Sequence, residues 1–301
     1  DEVACYIAQI AKEEVLSAEP LWLPEIPAVI TLKELEEKYQ YQTNHNLNPI
    51  IGEVDDPFNQ EQRLLTMPIS EKGNAAIYGA AGSGKDNLLI TVLYSLYMHH
   101  NSKEINTYIL DFGAESLRMF EAAPQTGDFM VSGEEEKVNN LFRFLNKEIA
   151  NRKKLFAEYG GEFISYKKIG KNEVPNIIII INDYIGFSEQ FEEINDRLPS
   201  LTRDCNKYGI FFIVSCTSSM GIRYKLQQNF TQTFVLQLND KADYVSLLGN
   251  TGGVFPSKIY GRGIYREKEV YEFQSAHVTE ETEHIADAVR AFCRQLREKE
   301  T

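Results

Sequence analysis

Apolar positions along this chain alternate between two spacings. Short apolar runs, NAAIY at 74–78, TYILDF at 107–112, NIIIIIND at 176–183 and GIFFIVSCT at 209–217, are separated by stretches in which apolar residues recur every three or four positions. The runs predict strands, and the unbroken isoleucines of the third predict a strand buried on both faces. The intervening stretches predict helices: 87–99, with Leu88, Val92, Leu93 and Leu96 on one side; a long amphipathic helix at 137–160, stopped by Gly160 and Gly161; and a third near 191–207. A strand pair near 233–238 and 262–273 precedes a closing helix at 279–299. Strand and helix in turn predict an α/β fold with a mostly parallel central sheet flanked by helices.

The start of the chain reads differently. Val3, Ile7, Ile10, Ala11 and Val15 predict a helix over 2–16 with no capping residue ahead of it, so the chain is expected to open inside a helix, at a fragment boundary or a linker. The proline-punctuated stretch PLWLPEIP, 20–27, follows, and then TLKELEEKY, where Thr31 and Glu34 have the spacing of a capping box. Residues 1–48 are read as a lead-in packed on a main domain at 49–301.

Composition narrows the function classes. The 301 residues are 43% hydrophobic and 25% charged, a globular profile, and the formal net charge of -13 disfavours a nucleic-acid partner. Cys5, Cys205, Cys216 and Cys293 lack metal-site spacing, and His99, His100 and His277 show none either; a reducing compartment is the default. The longest apolar runs, 177–181 and 210–214, are far short of the ~20 residues that span a bilayer, and no basic-led signal peptide opens the chain.

The chemistry concentrates at GAAGSGKD, 79–86. A strand, a glycine-rich turn and a helix in succession form a phosphate cradle: Gly79, Gly82, Ser83 and Gly84 would turn backbone N–H groups toward a nucleotide's phosphates, and Lys85 would add its charge. The eighth position ordinarily supplies a hydroxyl to Mg²⁺ and is here Asp86. As a carboxylate it would either ligate the metal or oppose the triphosphate, and as a first-turn acid it also favours the helix. The strand 176–183 departs in parallel. Asn182 takes the metal-supporting place and Asp183 the catalytic one, and alternation turns neighbouring side chains to opposite faces. The carboxylate has been exchanged between the two motifs, or both have drifted after hydrolysis was lost. Thr217 would sense a γ-phosphate or close a local hydrogen bond. Arg152, Arg203, Arg223 and Arg262 are candidate phosphate or partner contacts.

Several stretches carry a family resemblance: IIGEVDDPFNQEQ at 50–62, GAAGSGKD, NIIIIINDY, KYGIFFIVSCTS, VSLLGN at 245–250 and GRGIYR at 261–266. Together they resemble the FtsK/SpoIIIE branch of P-loop ATPases. PLWLPEIP with TLKEL is similar to the repeated ATPase modules of EssC and EccC, the membrane-anchored motors of type VII secretion. The resemblance implies a RecA-like sheet, a cytoplasmic place beside other ATPase modules of one motor, and small helical secreted proteins as substrates. It points to a degenerate, C-terminal module with weak ATP and Mg²⁺ binding and little hydrolysis, acting in assembly, regulation or substrate recognition. An active ATPase with a relocated metal carboxylate is the alternative, and a DNA translocase a more distant one.

Overall fold

The computed structural model describes residue 6, residues 23–43 and residues 45–300. The helix expected over 2–16 and Cys5 lie outside the described residues, apart from Tyr6, which is helical.

Among the described residues ten strands form one sheet, and its centre is parallel. The glycine loop leaves β3 (Ala75–Tyr78); the preceding β1 (Ile50–Asp56) and β2 (Glu61–Thr66) form a hairpin. Six strands run parallel in the order β8 (Gln232–Leu236), β3, β7 (Ile210–Cys216), β6 (Asn176–Asn182), β4 (Ile105–Asp111), β5 (Thr126–Val131). On the β8 side the sheet continues antiparallel through β9 (Arg262–Arg266), β10 (Val270–Ser275), β1 and β2. The stretch 262–273, read from sequence as one strand, is therefore a hairpin, turned at the exposed charged residues 267–269. β5 had no prediction: TGDFMV interrupts its apolar residues with Gly127 and Asp128.

Alternation along β6 explains how both faces are filled. Ile178 and Ile180 belong to one core, Ile177, Ile179 and Ile181 to the other, as expected of a strand apolar throughout. The first core is closed by α3 (Lys85–His99) and α10 (Ile285–Glu300), the helices α1 (Leu32–Tyr39) and α2 (Ile69–Lys72) preceding them in the chain. The second is closed by α4 (Glu135–Ala157), α6 (Tyr184–Gln190), α7 (Glu192–Asp204) and α9 (Lys241–Leu248), with Leu226 of the short α8 (Tyr224–Gln227), while the short α5 (Phe163–Lys168) packs Phe163 and Tyr166 in a separate cluster with Phe156 of α4.

α3 is not amphipathic as expected. Leu88, Leu89, Ile90, Val92, Leu93, Leu96 and Tyr97 are all buried, so apolar side chains surround its axis. The antiparallel extension covers the side the periodicity assigned to solvent: Ser95 Oγ accepts from Ile50 N at 2.9 Å, and Asn87 Nδ2 and Thr91 Oγ1 donate to Ala276 O at 2.9 and 2.7 Å. The capping box on α1 forms as expected, Glu34 N donating to Thr31 Oγ1 at 3.2 Å and Thr31 N to Glu34 Oε2 at 2.7 Å. That helix buries Leu32 and Leu35 against Ile50 and Ala276.

Candidate functional site

The glycine loop stands at the C-terminal end of the parallel strands, where a doubly wound sheet places its ligands. Its base is tied to two neighbours: Gly79 N donates to Cys216 O at 3.0 Å and Ala80 N to Gln237 O at 2.8 Å. Gly82 and Gly84 have φ of 75° and 95°, which the loop requires and larger residues resist. A Cβ on Gly84 would also stand 2.7 Å from Gly261 N, whose N–H donates to Ser83 O at 3.0 Å. The GRG segment thus buttresses the loop from the antiparallel half of the sheet. Ser83 is buried beneath Gly79, its hydroxyl without a protein partner among the described residues. Beside the loop lies a cleft of about 420 Å³ bounded by Ala80–Ser83, Gln237, Lys241, Tyr244 and Phe255.

Lys85 does not face this cleft with a free charge. Its Nζ lies 3.0 Å from Asp86 Oδ1, 3.4 Å from Asn182 Oδ1 and 3.5 Å from Ser215 Oγ. The other oxygen of Asp86 accepts from Ser116 Oγ at 3.1 Å. Asn182 is buried and used at both ends: Oδ1 accepts from Ser215 Oγ at 2.7 Å, and Nδ2 donates to Asp111 Oδ1 at 3.1 Å. Asp111 ends β4 opposite Asn182 in register, and it also accepts from Gly113 N at 3.1 Å and Leu117 N at 3.0 Å. Burial pushes its carboxyl above the usual range, against the opposing effect of those three donors.

The sequence-predicted residues are thus partly brought together. Lys85, Asp86 and Asn182 meet directly, beneath the loop of Gly79, Gly82, Ser83 and Gly84. Asp183 leaves the strand with φ 59°, and its side chain turns over Gly186 in α6. Its backbone N–H donates to Ser215 Oγ at 3.0 Å. Thr217 is exposed beyond the end of β7, and Ser215, two residues earlier, is the hydroxyl that reaches Lys85. The signal for Ser215 was a lone hydroxyl inside an apolar strand. For Asp111 it was an acid ending TYILD, but that β4 pairs with β6 is not written in either segment.

Two of the four arginines are corrected. Arg152 is a buried residue of α4, its Nε 2.7 Å from Glu148 and its terminal nitrogens donating to Tyr208 O and Pro175 O at 2.8 Å. Buried Arg262 donates to Gln274 Oε1 and Ile26 O, both at 2.9 Å. Both guanidiniums serve packing because planar donors satisfy several buried carbonyls at once. Arg203 and Arg223 are exposed and pair with Asp204 and Asp196.

The loop's shape fits a phosphate chain, since its glycines keep the conformations a cradle requires. Magnesium fits poorly. Position 86 offers a carboxylate already held by Lys85 and Ser116, and position 182 an amide with both ends engaged. Among the described residues no three His, Cys, Asp or Glu side chains gather to hold a metal, and no helix is long and apolar enough to cross a membrane.

Comparison with known proteins agrees with the fold. The sequence profile of the FtsK/SpoIIIE family matches residues 31–251. The ESX secretion system protein EccC of Geobacillus thermodenitrificans is 29% identical over 255 residues, 83% of this chain and 17% of that protein. This chain therefore spans about one sixth of that relative's length. The solved ATPases 2 and 3 of EssC from the same organism superpose with TM-score 0.84 at 26% identity, over 92% of this chain and 52% of that one. A Thermomonospora curvata EccC structure (ATPases 2 and 3), in complex with a signal sequence peptide, shares the fold with TM-score 0.76 at 20% identity, over 86% and 48%.

Proposed function

The chain belongs to the FtsK/SpoIIIE family, and from that premise we propose that it is a degenerate ATPase module of a type VII secretion motor, binding nucleotide weakly and hydrolysing it slowly or not at all. The observation that carries the reading is Lys85: the ammonium that would meet the β/γ-phosphates is held instead by Asp86 and Asn182. The metal's usual holders are replaced at both positions, so the site keeps the cradle and lacks the means to place magnesium.

In this reading residues 49–301 form the ATPase-like domain, and 1–48 are its lead-in or linker segment. The module works in the cytoplasm, as the soluble part of a membrane-anchored protein, beside other ATPase modules. Its role is assembly, regulation or recognition of a small helical secreted protein, in keeping with the peptide-bound relative of the same fold. Phosphate-release assays on the purified domain with Mg·ATP test it. Turnover should lie at background and be unchanged by Lys85→Ala; turnover comparable to ordinary P-loop motors and abolished by that substitution would refute it.

One observation favours a second reading. Asp86 is half-exposed in the first turn of α3, where a carboxylate on the metal would stand. An active ATPase using Asp86 in that way requires Asp86→Ala to weaken Mg-dependent nucleotide binding, whereas the degenerate module requires binding to strengthen or stay unchanged.

A further inference from the structure

A second cavity lies at the opposite end of the parallel strands from the glycine loop. Its lining comes from the starts of three of them: Glu104 precedes β4, Asn176 opens β6 and Phe211 stands second in β7, with the short α5 beside them. The cavity measures about 740 Å³, against about 420 Å³ for the cleft at the loop, and falls in the range that houses a small organic ligand.

Two chemistries meet in the lining. Phe163 and Phe211 are buried, while Ile164 beside them is 52% exposed, so the cavity has an apolar surface open to a ligand. Four lysines, Lys103, Lys167, Lys168 and Lys207, share the lining with two acids, Glu104 and Glu162, in a chain whose formal net charge is -13. Lys207 pairs with Asp204 at 3.5 Å, and Glu104 faces His45 at 3.6 Å. Lys103 and Lys168 make no ion pair among the described residues.

Lys167 decides which ligand fits. Its Nζ donates to the Asn172 amide oxygen at 3.3 Å, not to a carboxylate, and lies 5.2 Å from the centre of the Phe163 ring. The buried Arg152 guanidinium stands 6.0 Å from the same ring. Burial pulls the Lys167 ammonium below the ordinary lysine value, with Glu104 opposing and Arg152 adding. A half-buried cation short of counter-charge favours an anion. A bare anion, however, would leave Phe163, Ile164 and Phe211 uncovered, so the matching ligand carries an apolar body as well.

We propose that this cavity binds a small amphiphilic anion, an apolar chain ending in one carboxylate, with the carboxylate on Lys167 and the chain against Phe163, Ile164 and Phe211. Lys103 and Lys168 supply the surrounding positive field. The site stands apart from the degenerate-module reading, since it shares no lining residue with the cleft at the loop.

Calorimetry of decanoate on the whole 301-residue chain tests it, with decylammonium as the control for charge and inorganic phosphate as the control for the chain. Decanoate should bind saturably with a Kd below about 1 mM, and both controls about tenfold more weakly or worse. Lys167→Met keeps the apolar stem and removes the charge; it should weaken decanoate about tenfold, the worth of a hydrogen bond to a charged group. Ile164→Ser changes an exposed side chain, should weaken decanoate severalfold, and keeps the test open if Lys167→Met does not fold. Lys258→Met, at the cleft beside the loop, should leave decanoate binding unchanged. No saturable binding, equal binding of either control, or a loss with Lys258→Met as large as with Lys167→Met overturns the proposal, and so does an affinity that neither Lys167→Met nor Ile164→Ser lowers. Turnover of ATP by the wild-type chain would sink the degenerate-module reading and leave this site intact.

Discussion

Asp86 occupies the first turn of α3, where the helix dipole favours an acid, and its carboxylate lies 3.0 Å from the ammonium of the preceding residue. An incoming phosphate must compete with it. A like-charge pair at ~4 Å costs about 4 kcal/mol at an effective dielectric of ~20, and the partial exposure of Asp86 screens much of that. Asp86→Thr is therefore expected to raise Mg·ATP affinity by roughly tenfold, or ~1.4 kcal/mol, measured by calorimetry. Gly84 tests the loop's shape. With φ at 95° and Gly261 backbone 2.7 Å from the position of a Cβ, Gly84→Ala should cost about 1–3 kcal/mol in chemical denaturation. At this scale the glycines, Lys85, Asp86 and Asn182 were legible as a site. Ser215 and Asp111 were not, because their roles depend on which strands lie side by side.

Among elements, α1 is the one whose stability is most local. Its capping box satisfies the first-turn N–H groups, and Glu34 is held below the usual carboxylate range chiefly by the Thr31 backbone N–H. Thr31→Ala is expected to cost about 1 kcal/mol of unfolding free energy. The same segment joins the sheet extension: Leu32 N donates to His277 O at 2.9 Å, and His277 N to Ile30 O at 2.8 Å. Burial holds the His277 imidazole below its ordinary pKa, so the folded chain keeps it neutral where the unfolded chain takes a proton. Stability at this junction should fall as pH drops through and below the ordinary histidine value of about 6.5, and His277→Asn should flatten that slope in urea titrations. His100 is lowered for the same reason and adds to the trend in wild type. The strands and long helices were legible by period. α3 was misjudged because periodicity reports how many faces are apolar, not what covers a face that carries Ser95, Asn87 and Thr91.

For the whole molecule, charge and topology point the same way. A formal net charge of -13 leaves little to neutralise a phosphate backbone, so affinity for duplex DNA near 0.15 M salt should be weaker than about 10 µM in fluorescence anisotropy, with a shallow salt slope. From the chain alone, the α/β class was determined and the glycine-rich loop with its departures from the pattern at 86 and 182 was legible, since each rests on local spacing: a strand before a glycine turn, a helix after it, an apolar run ending in a polar pair. Tertiary structure decided the rest. Strand order placed β4 beside β6 and so brought Asp111 to Asn182; the antiparallel extension put Gly261 against Gly84 and covered α3. Those contacts join residues as far as 189 positions apart in number, from Asn87 to Ala276. Hydrogen bonds and charges act over a few ångströms, and only the folded sheet brings such distant positions within that range.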